Sequence, residues 1–144
     1  MKATTEIVFI LDRSGSMAGL ESDTIGGFNA LIEKQKRQGS AARISLILFD
    51  DQTDVVLDRV PIMQVGALSE DEYSVRSCTA LLDAVGKSVT HISRLHQSMK
   101  KENRPEKTQF IITTDGMENS SQEYSLSQVK NLIEKQKERY HWEF

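Results

Sequence analysis

The stretch Ile7-Val8-Phe9-Ile10-Leu11-Asp12-Arg13-Ser14-Gly15-Ser16 decides the fold. Its first half is an unbroken apolar run, which suits a strand covered on both faces in a parallel sheet. Its second half turns polar at once. Asp12, Ser14 and Ser16 stand at alternate positions around Gly15, a residue that lets a loop turn sharply, so three hard oxygen donors can face one point.

Working outward, two further apolar runs occur at Ile44–Phe49 and Phe110–Ile112, and each is followed within a few residues by an aspartate, Asp50 or Asp115. In open parallel sheets the ligand crevice lies beyond the carboxyl ends of the strands, so Asp12, Asp50 and Asp115 converge on one edge. Between the strands lie helical stripes. Ile25, Phe28, Leu31 and Ile32 give one face of a helix over Ser22–Arg37. Leu81, Leu82, Val85, Val89, Ile92, Leu95 and Met99 give a longer one starting near Thr79. Leu126, Val129, Leu132 and Ile133 give a third, with Ser125 as N-cap. Only Asp51-Gln52-Thr53 separates Ile44–Asp50 from Asp54–Val60, too little for a crossover helix. Those two runs therefore form an antiparallel hairpin, its second strand at the sheet edge and closed by Pro61. The expectation is a doubly wound α/β domain of Rossmann-like type. It has a mostly parallel sheet, one antiparallel edge strand and helices on both faces.

Three stretches fall outside that alternation. Gln64–Cys78 reads as a polar loop with room for one short turn. Lys101–Lys107 reads as a charged loop in which Pro105 stops the long helix. His141-Trp142-Glu143-Phe144 reads as the start of a further strand, so residues 1–144 are expected to form a single domain lacking its last strand or strands and helix. A bare sheet edge of that kind invites a homodimer.

The length of 144 residues suits one domain with a true core, and 38% apolar with 27% charged residues is ordinary for a soluble globular chain. A formal net charge of −3 is too mild to point to nucleic acid or a membrane surface. The basic runs Lys34–Arg37 and Lys135–Arg139 each end a helix, where cations suit the dipole. A single cysteine, Cys78, allows no internal disulfide. The apolar run after the first residues is too short for a signal segment or a membrane span, so the reading is cytoplasmic.

Asp12-x-Ser14-Gly15-Ser16-Met17, Thr79-Ala80-Leu81-Leu82-Asp83-Ala84 and Thr114-Asp115-Gly116 together resemble the three parts of the metal-ion-dependent adhesion site of von Willebrand factor A domains. They occur in that family's order, each in the expected structural context, and the likeness covers essentially the whole chain. Arg76-Ser77-Cys78 stands where many relatives have a glycine-rich turn. The resemblance implies hydroxyl ligands at Ser14, Ser16 and Thr79, and carboxylates at Asp12 and Asp115 that bind directly or through water. It implies Mg²⁺ or Mn²⁺, which agrees with an all-oxygen donor set and argues against zinc. It also implies a function without catalysis, in which an open coordination position captures an Asp or Glu of a protein partner. Relatives of this compact, leaderless type occur in bacterial cytoplasmic proteins.

Other residues carry plainer expectations. Asp50 and Asp51 read as turn formers, Asp83 as a helix residue with a supporting hydrogen bond, and Asn29 as either solvated or facing a buried polar group. Cys78 reads as a small side chain with no histidine to activate it, and His91, His96 and His141 as surface residues. Trp142 belongs in or near the core, while Met17 and Met117 offer an apolar rim beside the loops. Two other functions compete: a Mg²⁺-dependent phosphohydrolase or phosphoryl-transfer domain, since an aspartate after a first strand also begins phosphoaspartyl enzymes, and a structural scaffold with no functional ion. Against the first, Asp12-Arg13-Ser14 lacks the second aspartate two positions on.

Overall fold

The computed structural model describes residues 4–13, 17, 19–39, 41–50, 52–69, 73, 80–114, 121 and 123–144. Strands β1 (Thr4–Asp12), β2 (Ala41–Phe49), β3 (Thr53–Pro61) and β4 (Lys107–Thr113) form one sheet in the order β3-β2-β1-β4. β1 runs parallel to β2 and β4, and β3 runs antiparallel to β2, as the short link at 51–53 requires. Helices α1 (Glu21–Arg37), α2 (Leu81–Ser98) and α3 (Leu126–Tyr140) complete the fold.

Alternation along β1 explains why both faces are covered. Ile7, Phe9 and Leu11 point to one side and pack with Phe28 and Ile32 of α1. Val8 and Ile10 point to the other and pack with Ala84, Val85, Val89 and Ile92 of α2 and Val129 of α3. From Ile7 to Leu11 the strand is thus apolar on both faces, which is why that run has no polar residue before Asp12. α3 starts on a capping box, in which the Ser125 hydroxyl accepts from the Gln128 amide and the Gln128 side chain accepts from the Ser125 amide.

Several expectations are corrected. α2 stops at Ser98, well before Pro105, because Met99 is already extended at φ −88°, ψ 151°. The stretch after β3 is less polar in function than in composition. After a single 3₁₀ turn at Ile62–Gln64, Val65, Leu68 and Tyr73 are buried and close one end of the α1-side core. Of the two alternatives for Asn29, the structure bears out the polar contact: it holds that stretch by accepting from the Leu68 amide and donating to the Leu68 carbonyl, at 2.7 and 3.1 Å. His96 is buried, not superficial. Its Nε2 lies 2.9 Å from Glu6 Oε1, which also accepts from Arg59 Nε at 2.8 Å. Met17 is buried too and forms no rim; Met117 and Cys78 lie outside the described residues.

Trp142 is buried against Phe110, ring centroids 5.4 Å apart, and edge-on to His96. Glu143 pairs in parallel register with Gln109 on the outer side of β4. On the opposite edge, register shifts opposite β3 and the left-handed backbone of Arg59 (φ 54°) interrupt a regular ladder, a recognised way to blunt a strand edge.

Candidate functional site

The sheet order puts β1 and β4 side by side, with Leu11 opposite Thr113. The chain leaves β1 toward β2 through α1, whereas it leaves the adjacent β4 through α3 toward Glu143 on the other side of β4, so these neighbouring strands connect in opposite lateral directions. The carboxyl end of β1 is therefore the switch point at which open α/β sheets form a crevice. Asp12 ends β1 there, fully buried. The Thr114 hydroxyl donates to Asp12 Oδ2 at 2.8 Å, fixing the carboxylate from the neighbouring strand's exit. The buried Tyr73 hydroxyl donates to the Asp12 main-chain carbonyl. Burial pushes the Tyr73 phenol above its ordinary value of 10.0; the charges of Asp12 and Glu21 push the same way, and hydrogen bonding with Thr24 opposes them.

Beside Asp12 lies a partly buried ion network that no pattern in the sequence announces. Arg13, 5% exposed, donates through Nε to Asp50 Oδ1 at 3.1 Å and through a terminal nitrogen to Asp54. Its own amide donates to the Phe49 carbonyl at 2.8 Å. Asp50 is more than a turn former. Its carbonyl accepts from the Ala80 amide at 2.6 Å, at the entrance to α2, and its amide donates to the Gln52 carbonyl at 3.0 Å. Asp83, in the first turn of α2, accepts from the amides of Glu123 and Tyr124 at 2.9 and 2.8 Å, while the Asp83 amide bonds the Ser121 hydroxyl. Asp83 thus ties the segment leading into α3 to the start of α2.

Of the predicted ligands, Asp12 is described; Ser14, Ser16, Thr79 and Asp115 lie outside the described residues, as does Asp51. Among the described residues no group of three or more His, Cys, Asp or Glu is arranged to hold a metal. What the structure does bring together is the described neighbours of the missing positions. Thr114, which precedes Asp115, bonds Asp12 directly, and Ala80, which follows Thr79, is held on Asp50 and through it on Arg13. The donors of this set are carboxylate and hydroxyl oxygens, a chemistry that fits a hard divalent cation. Asp12 and the helix patterns were legible from the sequence. Arg13 and Tyr73 were not, since their partners sit far along the chain and no periodicity marks them.

No protein-family profile matches this chain, and no curated protein is similar to it in sequence. Solved structures are similar in fold. The von Willebrand factor domain of the type V pili tip protein Mfa5 from Porphyromonas gingivalis superposes with a TM-score of 0.57 at 15% identity, over 82% of this chain and 40% of that one. Proximal thread matrix protein 1 from the mussel byssus gives 0.58 at 17% identity, over 93% of this chain and 33% of that one. The conserved hypothetical protein BatB from Bacteroides thetaiotaomicron gives 0.52 at 19%, over 91% and 62%. This chain spans less than two thirds of each of those chains. In fold the chain is thus similar to that von Willebrand factor domain, a mostly parallel α/β sheet with one antiparallel edge strand. Among the described residues no helix is long and apolar enough to cross a membrane.

Proposed function

We propose that the chain is a protein-interaction module. Asp12, Ser14, Ser16, Thr79 and Asp115 would hold Mg²⁺ or Mn²⁺, and a partner's Asp or Glu would complete the ion's shell. The supporting observation is the Thr114–Asp12 hydrogen bond at 2.8 Å, which ties the exit of β4 to the exit of β1 at the switch point. When bound, the ion supplies an electrophilic position for a carboxylate. The protein's own part is to hold Asp12 rigid. Its carboxylate is buried and oriented by Thr114, and its carbonyl is fixed by Tyr73. A buried carboxylate is poorly solvated, which raises its preference for a cation over water.

The likeness to a pilus-tip domain and a byssus protein supports a binding role without naming a partner, and it does not fix a compartment. A cytoplasmic location is proposed on the lone Cys78, since a chain with no internal disulfide suits a reducing compartment. The partner is proposed to be an acidic protein surface; nucleic acid and membrane are not proposed at a net charge of −3.

Capture of partner proteins on the immobilised chain, with Mg²⁺ and with EDTA, tests the reading. Retention that requires the ion and disappears in Asp12→Ala and Ser14→Ala is expected. Chelator-insensitive retention contradicts it. Sustained phosphatase turnover that Asp12→Asn abolishes would instead favour the phosphoryl-transfer alternative.

A further inference from the structure

We propose that Arg13 is the positioning residue of the crest formed beyond the carboxyl ends of β1, β2 and β4, locking Ala80, at the entrance to α2, against the end of β1 through Asp50. The inference rests on the binding reading for its consequence, but its geometry stands independently.

Arg13 occupies the one sequence position between Asp12 and Ser14, and its side chain is buried on Asp50 and Asp54. Two carboxylates hold it, Asp50 on the β2 exit and Asp54 on β3. Asp50 then works from both ends. Its side chain carries Arg13 and its carbonyl carries the Ala80 amide at 2.6 Å. One guanidinium therefore couples the end of β1, the start of β3 and, through Asp50, the residue that directly follows Thr79. A planar fork bonded on two sides leaves little freedom in any of the three.

The charges are also matched. A buried guanidinium next to a cation site would repel the ion, but Asp50 and Asp54 together outweigh the single charge of Arg13. The clamp consequently orients the crest without making it electropositive. Arg13→Lys keeps the charge and loses the fork; Arg13→Gln loses both; Asp54→Asn, at a half-exposed carboxylate, removes one arm with little disturbance to the core.

The test measures three quantities on the full chain for wild type, Arg13→Lys, Arg13→Gln and Asp54→Asn: Mn²⁺ affinity by electron paramagnetic resonance, amide exchange at Ala80, and amide exchange at Ile10 as a control for global opening. Both Arg13 variants are expected to bind Mn²⁺ about ten- to a hundredfold more weakly, the range typical of residues that support metal ligands. Their Ala80 amide should exchange faster while Ile10 keeps its protection, with Arg13→Lys less affected than Arg13→Gln and Asp54→Asn least. Variants that keep Ile10 protected and leave both Mn²⁺ affinity and Ala80 exchange within about twofold of wild type overturn the proposal. Should Arg13→Gln fail to fold, Arg13→Lys and Asp54→Asn carry the decision. Wild type that binds no Mn²⁺ defeats the metal reading alone, and Ala80 exchange in the same samples still decides whether Arg13 locks the crest.

Discussion

Tyr73 ties the loop chemistry of this protein to its pH response. Its phenol is buried against the Asp12 carbonyl, and burial, with Asp12 and Glu21, holds its ionisation above 10.0. A group that ionises at higher pH in the folded state stabilises the fold fully below its unfolded value, and that contribution is lost as pH rises through the folded value. The fold is therefore expected to weaken above about pH 10. In Tyr73→Phe that component of the pH dependence should vanish, at a loss of about 1 kcal/mol near neutrality from the missing hydrogen bond. Urea unfolding of both proteins from neutral to alkaline pH checks the sign and the size. Asp83 makes a second residue-scale prediction. Asp83→Ala strands two backbone amides, those of Glu123 and Tyr124, and should cost about 3 kcal/mol. Asp83→Asn, which keeps an acceptor, should cost less than half of that. Asp12 could be singled out from the sequence because it closes an apolar strand, whereas for Asp83 a supporting hydrogen bond was legible but not its partners, the amides of Glu123 and Tyr124 far along the chain.

The elements were the most legible level, for a physical reason. Both faces of β1 and β2 are buried over most of their length, so Ile7–Leu11 is an unbroken apolar run and Ile44–Phe49 is broken only by Ser45, and each helix keeps one apolar stripe facing one side of that sheet. Ser125 was readable as an N-cap because the hydroxyl-to-amide bond is local, and Ser125→Ala should cost about 1 kcal/mol by thermal or chemical unfolding. Non-local packing was hidden. Gly86 in α2 lies against the Tyr124 ring, and an added Cβ would press into that ring. Gly86→Ala should therefore destabilise by about 1–2 kcal/mol despite the better helix propensity of alanine. Shrinking the ring in the double variant Gly86→Ala/Tyr124→Leu should recover part of that loss, a coupling that unfolding of the two single and one double variants measures. The loop after β3 misled for the same reason: Val65, Leu68 and Tyr73 are spaced without a period, so their burial appears only once α1 supplies the opposing surface.

At the scale of the molecule, strand order converts separate loops into one place. β1 lies between β2 and β4, so the exits of all three parallel strands open on one edge, and the hydrogen bonds of Thr114 to Asp12, Arg13 to Asp50 and Ala80 to Asp50 draw them together. The sequence could predict this convergence from the alternation of strands and helices, but not the ion network that fixes it. Binding of an ion only to the folded chain would also raise its melting temperature with concentration, yet any adventitious cation can do the same. A structure determined by X-ray diffraction from crystals soaked in Mn²⁺ and a free carboxylate is the more direct measurement. The account predicts one Mn²⁺ beyond the end of β1, held by Asp12, Ser14, Ser16, Thr79 and Asp115 directly or through water, with the added carboxylate in the remaining position. Anomalous density with no Mn²⁺ at that edge, or Thr79 and Asp115 turned away from Asp12 with the ion elsewhere, would contradict it.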